Sequence, residues 1–463
     1  MPNPGSLECI LRRAAAFLAA ALLAAHVAAA WAQTPAPGTH RAESAAGQKP
    51  EAPPVLGVEP SQDIFIEGIG FSKLVLVIEP PRPAPQDDVW RRAEPLLEKN
   101  LCWSGLFNLS AGTTRYCALA GDPKRVDMRL ALSVEDGQLR LRLKEGGPEA
   151  LVLFEASLKA PGKEGEREIM ETVNRLTEKI TGQPGILGTT LAFSLRQPRY
   201  AKVIVATDTH GRPLQPLSAN RDINLLPRWS PSGTSLVYTV LTRDGTHVYF
   251  QNIQPEANGL GPSRFLTALG TLHTGGAFSP DGKKLIMTLN PNDNADLFEY
   301  DLTKNRQRQL TSRLGIETQA DWAKDGSKVV FVSDRSGTPQ VYLLDMETTE
   351  DLRLTFDGGY NADPRFSPDG RLILFTKRVN EIEQIHIMDV NGENVRQVTR
   401  GRFVSKQADW SPDGHQLVFT ANLTGEFKLY LVSTDGSNLR RLTDTPAGFD
   451  ESNPTWTRRR MFR

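Results

Sequence analysis

The feature that most constrains the fold of this 463-residue chain is a repeat in its second half. Each unit carries two markers: an aromatic residue before a Ser-Pro-Asp-Gly turn or a variant of it, and an aliphatic residue followed by Thr. The aromatic markers are Trp229, Phe278, Trp322, Phe366 and Trp410. The aliphatic markers, spaced 44 residues apart, are Leu266, Leu310, Leu354, Val398 and Leu442. Two markers that stay in register over five units predict a repeat architecture.

Within each unit the pattern predicts short β-strands. Pro-Asp-Gly forms a tight turn, because proline fixes φ and glycine accepts a positive φ. Apolar runs such as 329–332 and 341–344 follow the turns and would be buried on both faces. Four antiparallel strands in about 44 residues are typical of one blade of a β-propeller. We interpret the aromatic and Leu-Thr positions mainly as packing positions.

The ends of the repeat region predict how the propeller closes. A truncated sixth marker ends at Trp456, and the runs 189–195, 201–207 and 212–217 precede the first full unit. Together they would supply the four strands of a split sixth blade, which leaves no open sheet edge. The propeller is therefore expected over 188–457, followed by a basic tail, 458–463. A solvated end is the simplest interpretation of the tail, and contact with anionic headgroups or peptidoglycan is the alternative.

Residues 61–187 predict a smaller α/β domain. Strands are expected over 63–66, 73–79, 126–134, 138–143 and 151–158, and helices over 87–101 and 164–181. Neither helix begins with a glycine-rich phosphate loop, so a carrier or docking role is favoured over catalysis. The fold class is then an α+β N-terminal domain followed by an all-β six-bladed propeller with a split closing blade.

The N-terminus has the pattern of an export signal. Arg12 and Arg13 precede an apolar run, 14–30, that leads into an Ala-Trp-Ala cleavage site. This predicts a signal peptide, 1–32, cleaved before Gln33, and an exported protein; an uncleaved anchor is the alternative. Residues 33–60, rich in Pro and Ala, predict a disordered tether.

Charge and cysteine usage narrow the possibilities further. Lys and Arg number 54, as do Asp and Glu, so no global positive field would attract nucleic acid. Of the three cysteines, Cys9 precedes the cleavage site, which leaves Cys102 and Cys117. Export permits a disulfide between these two; a pair of free thiols is the alternative.

The order of leader, α/β domain and repeats resembles the TolB family of the periplasmic Tol–Pal system. Residues 101–108, LCWSGLFN, resemble the end of that family's first helix, and 176–185, LTEKITGQPG, resemble its junction between domains. The resemblance implies a monomeric, non-enzymatic scaffold. Such a scaffold docks the peptidoglycan-associated lipoprotein Pal on one mouth of the propeller and reaches the inner-membrane protein TolA through its N-terminal region. It supports outer-membrane integrity and constriction at cell division.

The resemblance also implies where the Pal-like partner binds: at the loops just before each marker aromatic. Those loops converge on a concave surface, which suits a protein partner. The candidate contact residues are Asn224, His273, Thr274, Thr318, Gln319, Asn361, Lys406 and Glu451.

Other function classes find little support in the sequence. There is no G-x-S-x-G elbow and no H-E-x-x-H motif, and the seven His include no i, i+4 pair, so no catalytic residue or cofactor is predicted. The aspartates of the turns (Asp281, Asp325, Asp369 and Asp413) lack the regular ligand spacing of a calcium loop, so no metal is predicted either. A propeller that binds a sugar or peptide, or an accessory domain of a propeller hydrolase, remains the alternative.

Overall fold

The computed structural model describes residues 73–461 except 82–87, 111–115, 117–124, 148–150, 160–162, 198–201, 219–221, 244, 255–259, 267–272 and 292–293. All described residues belong to one compact unit, Glu67–Arg463. The predicted signal peptide, tether and first strand (63–66) lie outside the described residues. Neither helix of the described part is long and apolar enough to cross a membrane.

The N-terminal part of this unit is a five-stranded sheet with two helices. Its elements are β1 (Leu74–Glu79), α1 (Asp88–Trp103), β2 (Phe107–Leu109), β3 (Met128–Glu135), β4 (Gln138–Glu145), β5 (Val152–Leu158) and α2 (Lys163–Thr181). The strand order is β2-β1-β3-β4-β5, with β1 parallel to both of its neighbours and β3-β4-β5 antiparallel. The β3–β4 hairpin turns at Asp136 and Gly137, which both have positive φ, as the short loop between twisted strands requires.

The helices cover this sheet with the apolar stripes that the sequence predicts. In α1, Leu97 and Leu101 are buried in the domain core, and in α2 Val173 and Leu176 are buried there too. Gly182 ends α2 in the left-handed conformation and donates its N–H to the Glu178 carbonyl at 2.8 Å.

The remaining described residues form an all-β propeller. Four of its sheets have four antiparallel strands each: β13 (His273–Phe278), β14 (Lys284–Leu289), β15 (Asp296–Asp301), β16 (Arg306–Gln309); β17 (Glu317–Trp322), β18 (Lys328–Ser333), β19 (Gln340–Asp345), β20 (Asp351–Arg353); β21 (Asn361–Phe366), β22 (Leu372–Val379), β23 (Ile382–Asp389), β24 (Arg396–Gln397); β25 (Ser405–Trp410), β26 (Gln416–Ala421), β27 (Lys428–Ser433), β28 (Arg440–Arg441).

The fifth sheet has eight strands. They are β6 (Thr190–Arg196), β7 (Lys202–Asp208), β8 (Gln215–Pro216), β9 (Ile223–Trp229), β10 (Ser235–Thr242), β11 (Gly245–Asn252), β12 (Ser263–Leu266) and β29 (Glu451–Thr457). A single parallel pair, Lys202 with Ile223, joins the group β29-β6-β7-β8 to the group β9–β12. The C-terminal strand β29 is antiparallel to β6, so the two ends of the propeller region pair as the split-blade prediction requires.

The described part of the basic tail, 458–461, continues beyond β29 and contacts the protein, whereas the sequence predicted a solvated end. The Arg459 carbonyl accepts the Thr190 N–H at 2.9 Å, and the Arg460 guanidinium donates to the Gly185 carbonyl at 3.2 Å. Met461 is buried. Its apolar side chain explains why the tail docks despite its charges.

The α/β domain contacts the end of the propeller that carries the Ser-Pro-Asp-Gly turns, called here the turn end. Gln416, just after one turn, donates to the Trp103 carbonyl at 2.8 Å, and Lys73 donates to Ser437 at 2.6 Å. The Arg440 guanidinium stacks 3.9 Å above the Trp103 ring. The opposite end, where the strands that carry the marker aromatics begin, is called the mouth.

Candidate functional site

Six strands surround the channel of the propeller: β9, β13, β17, β21, β25 and β29, called here the inner strands. Each has a register shift at the same place, three residues before its marker aromatic. The residues at these bulges, all with φ between 52° and 72°, are Leu226, Gly275, Gln319, Asp363, Gln407 and Asn453. All six line one small, partly enclosed cavity of about 40 Å³. The bulges therefore shape the channel wall.

Three of the predicted contact residues lie at this cavity: Thr274, Thr318 and Gln319. Gln319 also links two neighbouring inner strands. Its Nε2 donates to Asp363 Oδ1 at 2.7 Å, and its Oε1 accepts the Asp363 N–H at 2.9 Å.

Three other candidates are fully buried at the starts of their strands. Asn224 donates to the Lys202 carbonyl at 2.8 Å, and Asn361 donates to Gln340 at 3.0 Å. Glu451 accepts the Leu429 N–H at 2.7 Å. These side chains hold the sheets together in the structure, and their contact with a partner stays a prediction.

The last two candidates are also engaged within the protein. His273 is 5% exposed, with its ring 5.9 Å from that of His247. Lys406 lies 3.7 Å from the Glu383 carboxylate, and its ammonium is 4.9 Å from the Phe427 ring centre.

Hydrogen bonds from the Leu-Thr markers hold the loops at the mouth. Thr355 Oγ1 accepts the Val341 N–H at 2.9 Å and donates to Gln340 Oε1 at 2.8 Å. Gln340 in turn donates to the Gly358 carbonyl at 3.1 Å, in the loop before β21. Thr355, the Thr of the marker, thus helps to hold the loop before β21 through Gln340. The Leu-Thr marker was expected to serve mainly for packing, and its Thr has this additional role.

The same arrangement recurs in the next two sheets. Thr399 Oγ1 donates to Gln384, and Gln384 donates to the Phe403 carbonyl at 2.6 Å. In the sheet β25–β28 the buried Lys428 takes the place of the glutamine and donates to the carbonyls of Pro446 and Phe449, at 3.0 and 2.6 Å. A mouth whose loops are held in this way loses little conformational freedom when a partner binds.

Charged residues stand just before four of the marker aromatics, inside the channel. Arg228 lies 3.8 Å from the carboxylate of Asp321 and 3.9 Å from that of Asp409. Burial raises the pKa of Asp321 to about 7, against the opposing effect of the Arg228 charge, and burial also raises the pKa of Asp409. The fourth residue, Arg365, lines the cavity together with Arg228.

This charged group was not predicted from the sequence, although the repeat contains a pattern that indicates it. The four residues occupy equivalent positions in the repeat, each directly before its Trp or Phe, and their signs alternate along the chain. The cavity residues not predicted from the sequence include Arg228, Arg365, Asp363 and Gln407.

The remaining predicted sites concern turns, metals and thiols. Ser279 donates to Asp281 and Ser411 to Asp413, each at 2.6 Å, so these aspartates serve their own turns. Within the described residues, no group of three or more His, Cys, Asp or Glu side chains is placed to hold a metal ion. Cys102 is disulfide-bonded, whereas Cys117 lies outside the described residues, so their pairing stays a prediction.

Comparisons with known proteins agree with this architecture. Two curated relatives named "Tol-Pal system protein TolB", from Anaeromyxobacter dehalogenans strains 2CP-C and 2CP-1, are each 29% identical over 183 residues. The alignments span 39% of this chain and 40% of each relative. The crystal structure of TolB from Acinetobacter baumannii superposes with a TM-score of 0.67 at 23% identity, over 83% of this chain and 97% of that one, which shows a common fold.

A family model described as "TolB beta propeller domain" matches residues 177–460, which is more than half of the chain. The repeat, the bulged inner strands and this match lead to one conclusion: the chain belongs to the TolB β-propeller domain family.

Proposed function

We propose that this protein is the TolB component of a Tol–Pal system, a periplasmic scaffold that docks a Pal-like lipoprotein at the mouth of its propeller. The observation that carries the proposal is a cavity with both polar and apolar lining, ringed by six bulged strands, in a propeller of the TolB family. The names of the curated relatives support the same role. In this proposal the mouth binds a protein partner and catalyses no reaction.

The position of the α/β domain supports docking at the mouth. Its contacts through Lys73 and Trp103 are with the turn end. A partner at the mouth would therefore meet a surface that those contacts do not use. We carry Thr274, Thr318 and Gln319 forward as contact residues, because they line the cavity.

The N-terminal part of the chain completes the proposed role. A signal peptide, 1–32, would direct export, and the segment before residue 61 would reach a TolA-like inner-membrane protein. The protein would then connect the two membranes and support outer-membrane integrity and constriction at division. The domain boundaries at 61, 187 and 457 are part of this proposal.

We also infer that the propeller has six blades. Six inner strands share one bulge, and the eight-stranded sheet divides at a single parallel pair into two groups of four. Four separate sheets and these two groups make six. In this count, β29 is the first strand of the last blade and joins the three strands β6–β8 from the other end of the region.

A capture experiment tests the docking function. The mature protein is immobilised, exposed to an envelope extract, and the retained proteins are identified. We expect a peptidoglycan-associated lipoprotein, whose soluble domain is then titrated by calorimetry. Thr318→Trp, at the cavity, should weaken its binding at least tenfold by blocking the channel. Lys324→Trp, exposed at the turn end, is the matched control and should leave it unchanged.

Two results would contradict the proposal. One is that no lipoprotein is retained while a saccharide or a turned-over substrate is found. The other is that Lys324→Trp, and not Thr318→Trp, abolishes binding, since the partner would then use the turn end.

A further inference from the structure

We propose that Arg365 binds a carboxylate supplied by an acidic side chain of the partner docked at the mouth. This inference rests on the proposed function and names the chemistry of the contact inside the channel. The evidence is a guanidinium that lines the cavity without an acidic partner of its own among the described residues.

The Arg365 side chain is only partly satisfied by the protein. One terminal nitrogen donates to the Pro364 carbonyl at 2.6 Å. Its Nε is buried and has no hydrogen-bond partner among the described residues. Within that same part of the chain, no carboxylate lies within the 4.0 Å of an ion pair with this guanidinium.

The acidic residues around this part of the channel are already engaged. Asp363, which lines the same cavity, accepts hydrogen bonds from Gln319 at 2.7 Å and from Thr376 at 3.1 Å. Asp321 accepts the Phe366 N–H, and Asp409 accepts the Trp456 N–H, each at 3.0 Å. Both carboxylates also flank Arg228. Asp321 and Asp409 therefore flank Arg228 and accept strand-to-strand hydrogen bonds. Arg365 has no carboxylate of its own among the described residues.

Arg365 is half-buried, and a cation withdrawn from water without a counter-charge is costly, so such groups are normally paired. The planar guanidinium matches the geometry of a carboxylate, which it can bind with two parallel hydrogen bonds. The hydroxyl of Thr318 and the amide of Gln407, which line the same cavity, are able to hydrogen-bond the second oxygen or the neighbouring backbone.

We assign the carboxylate to the partner docked at the mouth, because residues near the mouth line the same cavity as Arg365. The lining extends from Thr274 and Thr318, each one residue from the start of its strand, to Arg365, which directly precedes its marker aromatic. A Glu or Asp side chain on that partner would enter the channel along its axis. The contact would fix the orientation of the partner as well as its affinity.

Three variants of the full-length mature protein test this contact. Arg365→Gln removes the positive charge. Arg365→Lys keeps the charge but lacks the planar guanidinium that can form two parallel hydrogen bonds. Arg371→Gln, whose parent side chain is 76% exposed at the turn end, is the control. In calorimetry with the captured lipoprotein domain, we expect binding to weaken at least tenfold for Arg365→Gln, less for Arg365→Lys, and not at all for the control.

A stability measurement separates this role from a purely structural one. Because the guanidinium has no acidic partner among the described residues of the free protein, Arg365→Gln should leave the thermal midpoint unchanged or raise it. A lowered midpoint together with unchanged affinity would assign Arg365 to the fold and overturn the inference.

Nuclear magnetic resonance of the Arg365 Nε–H group gives a second readout, with the signal assigned from its loss in Arg365→Lys. The signal should shift when the lipoprotein domain is added. A shift with succinate alone, and none with the lipoprotein domain, would overturn the assignment to a docked partner.

The outcomes also separate the two proposals. If the wild type binds the lipoprotein domain and Arg365→Gln binds it equally well, the inference fails while the proposed function stands. If the wild type retains no lipoprotein, the proposed function fails and the partner contact fails with it; a succinate-induced shift would then identify Arg365 as a site for free carboxylates instead.

Discussion

At the scale of single residues, buried acids at the starts of the inner strands set the pH response of the fold. Glu317, the first residue of β17, is fully buried and lies 3.6 Å from the Arg335 guanidinium. Burial raises its pKa from 4.5 to about 7, and the nearby Asp296 adds to the rise while Thr311 and Arg335 oppose it. The folded protein therefore holds this proton more tightly than the unfolded chain does.

The sign of the pH effect follows from linkage. The contribution of Glu317 to stability is greatest below about 4.5 and is lost as the pH rises through about 7. We predict that Glu317→Gln stabilises the protein at pH 8, on the order of 2 kcal/mol, and has little effect at pH 5. Urea unfolding at the two pH values measures this, with the exposed Glu347→Gln as control. Equal effects of Glu317→Gln at both pH values would show that this carboxyl does not titrate as described.

Residue roles were the part that the sequence predicted least well. Asn224, Asn361 and Glu451 stand where a rim was expected, and only the structure reveals that their side chains are buried in hydrogen bonds. A single sequence carries no signal for burial at the start of a strand. The alternating charges at Arg365 and its equivalents are visible in the sequence. Which of these charges pair with each other could not be predicted, because it depends on how distant strands meet in one channel.

At the scale of elements, the bulge of the inner strands is the device that shapes the site. It requires positive φ at one residue in each strand, a conformation that costs about 1–2 kcal/mol for residues other than glycine. In β13 the bulge residue is Gly275, with φ of 72°, and an added Cβ there would meet nothing within 4 Å. A substitution at this position therefore tests the backbone alone.

We predict that Gly275→Val destabilises the protein by about 2 kcal/mol, because a β-branched residue disfavours the left-handed region. Gly275→Asn should cost under about 1 kcal/mol, since asparagine adopts this conformation more readily, as Asn453 does at the equivalent bulge. Urea unfolding midpoints compare the two variants. If valine and asparagine cost the same, the positive φ at this bulge is not what limits the choice of residue.

The strands and turns were predictable because their period is local. Proline, aspartate and glycine mark each tight turn, and the apolar runs mark the strands between them. The bulges were not predictable, because Leu226, Gln319 and Gln407 are not residues that favour positive φ. Their conformation comes from pairing with the neighbouring strand, which a local pattern does not report.

At the scale of the whole molecule, stability depends on joining the two ends of the propeller region. Trp456 in β29 donates its indole N–H to Thr189 at 2.9 Å, and its backbone N–H to Asp409 at 3.0 Å. The strand thus connects the first and last sheets. This closure was predictable from the truncated sixth marker, whereas the docked tail was not, because one methionine among arginines has no periodicity.

We predict a graded loss of stability as the C-terminus is shortened. Removal of 453–463 takes away most of β29 and should lower the thermal midpoint most. Removal of 458–463 should have a smaller but measurable effect, because it deletes buried Met461 and the Arg459 carbonyl that Thr190 uses. Removal of 462–463 is the control. Equal midpoints for the two longer truncations would contradict closure by β29.

We propose that the mouth of the propeller, and not its turn end, receives the protein partner. Amide hydrogen exchange of the full chain, with and without the lipoprotein domain, tests this most directly. We expect slower exchange in the complex for the loops 312–316, 356–360, 400–404 and 444–450, and no change in the turns at 279–282, 367–370 and 411–414. Protection of those turns, with the loops at the mouth unaffected, would contradict it.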